Sequence, residues 1–287
     1  MIVRACASSA NLGPGFDCFG LAWQCRDTIE FLPEGEGLVI EGCHERYRNE
    51  SNLAYRAYKA ALDEAGAEDG PLVIRFLETQ IPVSRGLGSS AALIVAGVQA
   101  ANELRELGFS RQELLRIATG VEGHPDNVAP ALCGGLTVSA MDGDQVVTVP
   151  ARLSDKLRFA ALVPDFELST ELSRSVLPES FSRADAIFNM SRAALLLRAL
   201  ELGDGELLKT ALQDRLHQPY RKRLIEGYDR AEALALGCGA EGVCISGAGS
   251  TMLCVSTGDF IGRLERAMAE EFPSWQVMEM IPERSVL

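Results

Sequence analysis

The sequence predicts an α+β protein built from two domains. Its 287 residues exceed the roughly 150 of a typical single domain, and 47% of them are hydrophobic, which is enough for a large core without disulfides or metals. Short strand-like runs are mixed with helix-like segments in both halves of the chain. A seam near Pro150 separates the halves, so we expect domains at residues 1–150 and 151–287.

In the first half, runs rich in β-branched and aromatic residues predict strands, and apolar residues at helical spacing predict helices. Ser110 followed by Glu113 is a capping box that starts one of the helices. The predicted strands span 3–6, 22–31, 38–41, 72–77 and a hairpin over 136–149, and the predicted helices span 53–65, 90–104 and 110–120.

The second half shows a similar mixture. Pro164 ends a strand-like run, and Gly237 stands where a helix is expected to end. The predicted strands span 157–163, 243–246, 251–256 and 277–281, and the predicted helices span 182–202, 205–218, 220–236 and 260–272.

The charge of the sequence excludes some partners. Lys and Arg number 27 against 40 Asp and Glu, which gives a formal net charge of −13. Nucleic acids and anionic membrane surfaces are usually bound by clustered basic residues, so we expect neither as a partner. The acidic balance favours solubility instead.

The eight cysteines form no C-x-x-C pair, and most of them lie in apolar stretches. This usage is typical of buried, reduced thiols in a cytosolic protein rather than of a disulfide scaffold or a zinc site. The first residues lack a signal-peptide pattern, and no apolar run approaches the roughly 18 residues of a membrane helix. We therefore expect a cytoplasmic protein.

The strongest local signal is the run Arg85-Gly-Leu-Gly-Ser-Ser-Ala-Ala92, which follows a predicted strand and precedes a predicted helix. Gly86 and Gly88 allow a backbone path that directs successive N–H groups at one point, and the helix beginning near Ser89 adds its positive end there. Such a segment can hold a phosphate. It lacks the G-K-[ST] ending of a Walker A loop, and a tight glycine turn capped by serine is the alternative interpretation.

A second polar segment, Glu122-Gly-His-Pro-Asp-Asn127-Val-Ala-Pro130, lies between apolar sequences. A carboxylate near a polyphosphate commonly holds Mg²⁺, often together with a hydroxyl such as that of Ser90. The segment is equally compatible with a loop in which Pro125 and Asp126 form an Asx turn. His124 has no partner at zinc-ligand spacing, so a zinc site is not expected.

Two more segments are rich in glycine and small polar residues. Residues 7–17, which include Asn11 and Asp17, follow the first predicted strand, where loops often carry binding groups. Residues 246–251 contain two glycines and join two predicted strands. Each segment can be a binding surface or simply a connection between strands.

Taken together, four ordered motifs resemble those of the GHMP small-molecule kinases. The motifs at 82–92 and 245–251 are shared across that superfamily, whereas those at 10–20 and 122–130 resemble its homoserine-phosphorylating branch. The resemblance covers essentially the whole chain. In chain order the motifs are A-N-L-G-P-G-F-D-C-F-G, P-V-S-R-G-L-G-S-S-A-A, E-G-H-P-D-N-V-A-P and I-S-G-A-G-S-T.

The resemblance implies a ribosomal-S5-like N-terminal domain that binds ATP, a ferredoxin-like C-terminal domain, and an active site between them. It implies ATP and Mg²⁺ as cofactors, L-homoserine as the substrate in threonine synthesis, and a homodimer. By motif position, ATP would be held by Asn52, Pro82, Arg85, Gly86, Leu87, Gly88, Ser89 and Ser90, Mg²⁺ by Ser90 and Glu122, and the substrate by Asn11, Asp17, His124, Asn127, Arg174, Arg221 and Gly247.

The implied roles agree with the chemistry of the residues. Arginine binds a carboxylate through two parallel hydrogen bonds, and Asp17 is the expected partner of a substrate ammonium group. Several relatives carry an Asp where this chain has Asn127, and an amide cannot accept a proton at working pH. Since phosphoryl transfer depends mainly on positioning and charge, we expect Asn127 to orient the hydroxyl or the γ-phosphate without acting as a base.

Other functions remain open from the sequence. The protein could be another GHMP kinase that phosphorylates a different hydroxylated metabolite, such as threonine or mevalonate. It could also be a catalytically silent member that only binds a ligand. The intact phosphate-loop serines and Glu122 argue against a silent protein.

Overall fold

The computed structural model describes residues 1–285, so the last two residues of the predicted 151–287 domain lie outside the described part. The first of two β-sheets is formed by six strands, namely β1 (Ile2–Ala10), β2 (Phe19–Leu32), β3 (Leu38–Glu41), β4 (Leu72–Thr79), β5 (Leu136–Asp142) and β6 (Gln145–Ala151). Their order is β3-β4-β2-β5-β6, with β1 paired to β2. The long β2 thus holds the sheet together.

Four helices lie against this sheet and against one another. They are α1 (Leu53–Ala65), α2 (Ser89–Leu104), α3 (Arg111–Glu122) and α4 (Pro125–Cys133), and a 3₁₀ turn at Glu45–Tyr47 precedes them. The buried face of α2 consists largely of alanine, which allows the neighbouring backbones to approach closely. A Cβ on Gly97 of α2 would lie only 2.1 Å from the carbonyl oxygen of Ala54 in α1.

The second sheet is antiparallel and is formed by β7 (Arg158–Val163), β8 (Gly242–Ile245), β9 (Met252–Ser256) and β10 (Gln276–Met280). Its strand order is β10-β7-β9-β8. The helices of this half are α5 (Thr170–Ser175), α6 (Arg183–Leu202), α7 (Gly205–Ala211), α8 (Gln218–Arg221), α9 (Tyr228–Gly237) and α10 (Ile261–Glu271), with a 3₁₀ turn at Lys222–Leu224.

The two halves share a hydrophobic core. The ring of Trp23, in the first sheet, meets the edge of Phe159, in the second sheet, at a centroid distance of 5.3 Å. After β10 the chain returns to the first sheet, where the Glu283 N–H donates to the Ala22 carbonyl at 2.8 Å. These contacts join the two halves of the chain, and a domain boundary at residue 150 stays a prediction.

Most elements follow the sequence signals, and the α+β class is confirmed. The bounds of β3 and α1 match the predicted ones, and both hydrogen bonds of the Ser110–Glu113 capping box are present. One clear difference is α4, where the sequence left a polar loop as an equal alternative. Pro125 stands in its first turn, where proline fits an α-helix because the missing N–H needs no partner.

Two predicted helices of the second half are too long. The 205–218 helix ends at Ala211, because the Asp214 carboxylate accepts hydrogen bonds from the following N–H groups of His217 and Gln218 and forms a turn. The 220–236 helix is interrupted by Gly227, which has a positive φ of 82°. The short helix α5 has no counterpart among the predictions.

All eight cysteines carry free thiols, and four of them are buried. Across residues 1–285, no helix is both long enough and apolar enough to cross a membrane.

The close contact between α1 and α2 gives a stability prediction. Gly97→Ala forces a methyl group into the Ala54 carbonyl, which we expect to destabilise the fold by about 1–3 kcal/mol. Gly120→Ala in α3 is the matched control, because nothing lies within 4 Å of the added Cβ. We expect that variant to gain up to about 1 kcal/mol through helix propensity. Urea unfolding of both variants measures the difference, and equal midpoints would contradict the assigned contact.

Candidate active site

A cleft of about 510 Å³ is lined by residues from both halves of the chain. Two sequence-predicted site residues, Pro82 and Leu87, are not part of its lining, and the Leu87 side chain is fully buried in the core. The structure brings the others together there, namely Asn11, Asp17, Asn52, Arg85, Gly86, Gly88, Ser89, Ser90, Glu122, His124, Asn127, Arg174, Arg221 and Gly247.

The glycine loop between β4 and α2 forms one wall of the cleft. Gly86 and Gly88 adopt positive φ values of 78° and 69°, which favour glycine. Gly88 is the N-cap of α2 and offers no side-chain cap. Because the first N–H groups of a helix have no intrahelical partner, the start of α2 at Ser89 has the chemistry of an anion site.

The 246–251 loop packs directly on this glycine loop. A Cβ on Gly86 would lie 2.3 Å from the Ser246 carbonyl oxygen. The Ser246 hydroxyl donates to the Gly86 carbonyl at 2.6 Å, and the Thr251 N–H donates to the Arg85 carbonyl at 3.0 Å. Position 86 therefore requires glycine for two reasons. Its φ is positive, and there is no space for a Cβ.

Ser90 and Glu122 meet in the cleft beside the start of α2. The Ser90 hydroxyl donates to Glu122 Oε1 at 2.6 Å, with Ser90 in the first turn of α2 and Glu122 at the end of α3. A hydroxyl and a carboxylate are hard oxygen ligands of the kind that Mg²⁺ accepts. The predicted metal-binding pair is thus adjacent in space, although the two residues lie far apart in the sequence.

Asn127 lies in α4 and contacts both the first strand and the glycine loop. Its Oδ1 accepts a hydrogen bond from the Ser8 hydroxyl at 2.9 Å. This contact occupies one of the two lone pairs of Oδ1, and the amide NH₂ group of Asn127 can only donate. A Cβ on Gly88 would lie 2.1 Å from the Ser8 hydroxyl oxygen. Only glycine at position 88 therefore allows the loop to lie this close to Ser8 and Asn127.

Asp17 and Arg174 form a bidentate ion pair across the cleft. The two guanidinium nitrogens of Arg174 lie 3.0 and 2.7 Å from the Asp17 carboxylate oxygens. The Asp17 N–H donates to Asn11 Oδ1 at 2.9 Å, which fixes the loop after β1. Burial opposes the charge of Arg174, but the hydrogen bonds and charge of Asp17 outweigh it and raise the pKa of Arg174.

Arg221 is buried, with 1% of its surface exposed. Its Nε donates to the Ser173 carbonyl at 3.1 Å and its Nη1 to the Gly247 carbonyl at 3.0 Å. The Phe16 ring lies 5.0 Å from the Arg221 guanidinium and 5.6 Å from that of Arg174. Burial and the charge of Arg174 lower the pKa of Arg221 to about 10, so Arg221 remains cationic at neutral pH.

His124 is held by Asp126, a polar residue of the 122–130 segment for which the sequence left both a binding role and a turn open. His124 Nδ1 lies 2.5 Å from Asp126 Oδ1, and the carboxylate is almost fully buried. Ligand atoms of Asp17, His124 and Asp126 all lie within 4.8 Å of one another. Arg174 already balances the charge of Asp17 within this group.

Arg85 and Asn52 use their polar groups mainly to hold the backbone. The Arg85 guanidinium donates to the carbonyls of Pro164 and Asp165, both at 2.9 Å. Asn52 Oδ1 accepts from the Ala54 N–H at 3.0 Å and caps α1. Both residues line the cleft, and their predicted contacts with ATP stay predictions.

The cleft includes further residues that sequence reasoning did not select. Asp27 is buried in β2 and accepts hydrogen bonds from the N–H groups of Gln80 and Ile81, where the glycine loop begins. Burial raises the pKa of Asp27. A single carboxylate inside a strand-like run gave no signal in the sequence. The other unselected lining residues include Cys43, His44, Tyr47, Phe76, Thr79, Ser84, Leu93, Asp126, Leu168, Ser169 and Thr170.

Comparison with known families identifies the class. The family model described as GHMP kinases N terminal domain matches residues 52–135, and the one described as GHMP kinases C terminal matches residues 196–274. The glycine loop and the Ser90–Glu122 pair lie within the first match. The fold and the cleft are thus those of a two-domain GHMP kinase.

Individual relatives show which branch of the GHMP kinases the chain belongs to. Homoserine kinase of Clostridium botulinum Type A is 44% identical over 281 residues, which covers 97% of this chain and 94% of that protein. A crystal structure of homoserine kinase from Cytophaga hutchinsonii has a TM-score of 0.88 at 28% identity, covering 99% of this chain and 95% of that one. A structure of putative homoserine kinase from Listeria monocytogenes has a TM-score of 0.83 at 31% identity, covering 99% and 96%. The chain belongs to the homoserine kinase family.

More distant structures share the fold. Mevalonate kinase from Methanococcus jannaschii has a TM-score of 0.74 at 14% identity and covers 99% of this chain and 98% of that one. The resemblance inferred from the four sequence motifs is confirmed at the level of superfamily and family.

The His124–Asp126 contact gives a prediction for protonation. Burial opposes the protonation of His124, but the hydrogen bond and charge of Asp126 outweigh it and raise the pKa of His124. Burial lowers the pKa of His217. In a histidine NMR titration, His124 should therefore titrate above the usual value of about 6.5 and His217 below it. The chain has only three histidines, so single His→Gln variants assign the signals.

Asp126→Asn is the informative variant for this titration. Without the carboxylate, the pKa of His124 should fall below that in the unaltered protein. Because the folded-state pKa is the higher one, the stabilisation from protonated His124 is complete below about pH 6.5 and is lost as pH rises through the folded-state pKa. An unchanged His124 titration in Asp126→Asn would contradict the contact.

Proposed function

We propose that the protein transfers the γ-phosphoryl group of ATP to the side-chain hydroxyl of L-homoserine, giving O-phospho-L-homoserine and ADP for threonine synthesis. The observation that carries this proposal is the Asp17–Arg174 ion pair, with Arg221 beside it, in the same cleft as the glycine loop. A phosphate site and a site for a zwitterion are thus combined in one cleft. The homoserine kinases among the relatives support the same reaction.

ATP would place its phosphates against the glycine loop and the N-terminus of α2. Gly86, Gly88, Ser89 and Ser90 would provide the contacts, with Leu87 and Pro82 supporting the loop from behind. The helix N-terminus favours negative charge through its N–H groups and its dipole. The adenine base would then extend toward Asn52, which also lines the cleft.

The donor set at Ser90 and Glu122 fits Mg²⁺. Both are hard oxygen ligands, and they lie 2.6 Å apart beside the start of α2. When bound, Mg²⁺ supplies charge neutralisation and orientation of the β- and γ-phosphates. Ser90 and Glu122 would hold it on the protein side.

The substrate zwitterion would replace the Asp17–Arg174 contact. Its carboxylate would bind Arg174 and Arg221, and its ammonium group would bind Asp17, so that each charge keeps a partner. Asn11 and Gly247 would support this site, since the Asn11 amide donates to the Gly247 carbonyl at 2.8 Å. This arrangement distinguishes an amino acid from mevalonate, which has a carboxylate but no ammonium group for Asp17.

The transfer would proceed without a general base. Asn127 carries an NH₂ donor, and its carbonyl oxygen accepts from the Ser8 hydroxyl. A donor at this position can orient the γ-phosphate or the attacking hydroxyl oxygen, while the hydroxyl proton passes to the phosphate. His124, held by Asp126, would donate its other ring N–H to the substrate. Catalysis then rests on positioning and charge stabilisation.

A steady-state assay of ADP release tests the proposed reaction. With Mg²⁺ present, L-homoserine should give the highest kcat/KM in a panel with L-threonine and mevalonate, and chelation of the metal should abolish turnover. Mass spectrometry should identify the product as O-phospho-L-homoserine. A higher kcat/KM for another acceptor would show that this acceptor, and not L-homoserine, is the preferred substrate. Absence of ADP release with every acceptor would favour a silent binding protein.

Variants of Asn127 test the base-free transfer. Asn127→Ala should lower kcat by about 10²–10³-fold, because a donor to the developing charge is lost. Asn127→Asp should not be faster than the unaltered enzyme, since a second anion beside the γ-phosphate is unfavourable. ADP binding to both variants should remain close to normal, which serves as the folding control. A clearly faster Asn127→Asp enzyme would disprove the base-free transfer.

The cytoplasmic location inferred from the cysteine pattern and the homodimer implied by the resemblance remain predictions.

A further inference from the structure

Asp27 is a buried carboxylate with one oxygen that the chain does not use. Only 3% of the residue is exposed. Its Oδ1 accepts hydrogen bonds from the N–H groups of Gln80 at 2.8 Å and Ile81 at 3.0 Å, which fill both lone pairs of that oxygen. Across residues 1–285, no donor reaches Oδ2. Because Asp27 lines the cleft, Oδ2 is the acceptor that it can offer to a bound molecule.

The backbone contacts of Asp27 do not require a charge. Asp27 pairs with Thr79, the last residue of β4, and Oδ1 accepts the next two N–H groups of the chain. The oxygen of an asparagine amide could accept the same two bonds. Burial raises the pKa of Asp27, so the fold disfavours the charged carboxylate. A donor from outside the chain would offset that cost.

The surroundings of Asp27 are those of a base rather than of a phosphate. Asp27 and Ile81 lie where the chain leaves β4, and the glycine loop comes later in the same segment. Phe76 in β4 and Ile81 contribute apolar lining to the cleft. A Cβ on Gly42 would lie 2.3 Å from the Phe76 carbonyl oxygen, so the segment after β3, which also lines the cleft, packs against that strand. A flat apolar group with a donor at its edge fits this combination.

Asn52, toward which the base is proposed to extend, uses its amide on the chain itself. Its Nδ2 donates to the Tyr47 carbonyl at 3.0 Å, and its Oδ1 accepts from the Ala54 N–H at 3.0 Å. Tyr47 belongs to the segment after β3 that packs against Phe76. Asn52 and Asp27 thus stand on connected walls of the cleft, and of the two only Asp27 has an oxygen with both lone pairs free.

We propose that Asp27 determines the choice of nucleotide, its Oδ2 accepting a hydrogen bond from the exocyclic amino group of adenine. This inference rests on the proposed use of ATP. Guanine and hypoxanthine carry a carbonyl oxygen in place of that amino group, so they would set two acceptors against each other. A site built for a donor rejects an analogue that lacks it, because the polar group of the site is left unpaired. Asp27 thus selects ATP against GTP, while its Oδ1 holds the start of the glycine loop.

Asp27→Asn separates these two roles, because the backbone sets the orientation of the new amide. The N–H groups of Gln80 and Ile81 need an acceptor, so the amide oxygen takes the place of Oδ1 and the NH₂ group takes that of Oδ2. The variant then presents a donor, which suits a carbonyl and not an amino group. A purely structural role of Asp27 predicts no change in nucleotide preference.

Calorimetric titration with three nucleoside diphosphates tests the proposal. The exocyclic amino group of ADP is a carbonyl in inosine diphosphate and a hydrogen in purine riboside diphosphate. The unaltered protein should bind ADP roughly 10–100-fold more tightly than either analogue, the range expected for a hydrogen bond to a charged group. In Asp27→Asn the preference for ADP over inosine diphosphate should fall by at least about 10-fold. In the kinase assay, the same variant should raise the KM for ATP and leave kcat close to normal.

Asp144→Asn is the matched control. Asp144 is exposed in the turn between β5 and β6, outside the lining of the cleft, and its substitution removes the same charge. It should leave the nucleotide preference unchanged. Circular dichroism and urea unfolding check that both variants fold, and the comparison of nucleotides on the unaltered protein does not depend on either of them.

Three results would overturn the proposal: equal binding of ADP and inosine diphosphate by the unaltered protein, an unchanged preference in Asp27→Asn, or an equal change in Asp144→Asn. Weaker binding of 2′-deoxy-ADP or 3′-deoxy-ADP that disappears in Asp27→Asn would assign the donor to the ribose and would overturn it as well. Binding is measured without homoserine. A protein that shows the expected preference but transfers no phosphoryl group would therefore contradict the proposed reaction alone.

Discussion

The contact between two glycine loops is the constraint on which the rest of the active cleft depends. The glycine loop of the first half and the 246–251 loop of the second approach so closely that a Cβ on Gly86 would collide with the Ser246 carbonyl. Hydrogen bonds from Ser246 to Gly86 and from Thr251 to Arg85 fix the two backbones together. This contact fixes the position of helix α2, in the first half of the chain, relative to Arg221 and Gly247, in the second half.

Local charge in the cleft differs from the charge of the whole protein. The chain carries a formal net charge of −13, yet its substrates as proposed are an anion and a zwitterion. Positive potential is concentrated at the start of α2, at Arg174 and at Arg221. Burial lowers the pKa of Arg221 to about 10, which still leaves it charged, and carbonyl oxygens and the Phe16 ring stabilise that charge. The cleft also contains the carboxylates of Asp17, Asp27, Glu122 and Asp126, so it combines both signs of charge.

Local sequence signals correctly predicted the helices and strands that are stabilised by contacts between residues close together in the chain. The capping box at Ser110 and the periodic apolar residues of α1 gave correct elements, because both depend on neighbours within a few residues. The sequence signals gave wrong helix bounds where a single residue outside the apolar pattern ends or interrupts the helix. Asp214 ends the helix before it by capping the next turn, and Gly227 divides what the apolar pattern presents as one helix. Asp126 gave the signal of a turn, whereas the structure places it in the first turn of α4 against His124.

The sequence by itself determined the α+β class, the superfamily and the residue types that line the cleft, because motif order and glycine spacing are properties of the chain. Tertiary structure alone decided which of these residues meet. The pairs Ser90–Glu122, Ser8–Asn127 and Asp17–Arg174 join positions far apart in the chain. Tertiary structure also revealed Asp126 and Asp27 as parts of the cleft. Each of these depends on burial, and burial is fixed only when the helices and sheets have packed.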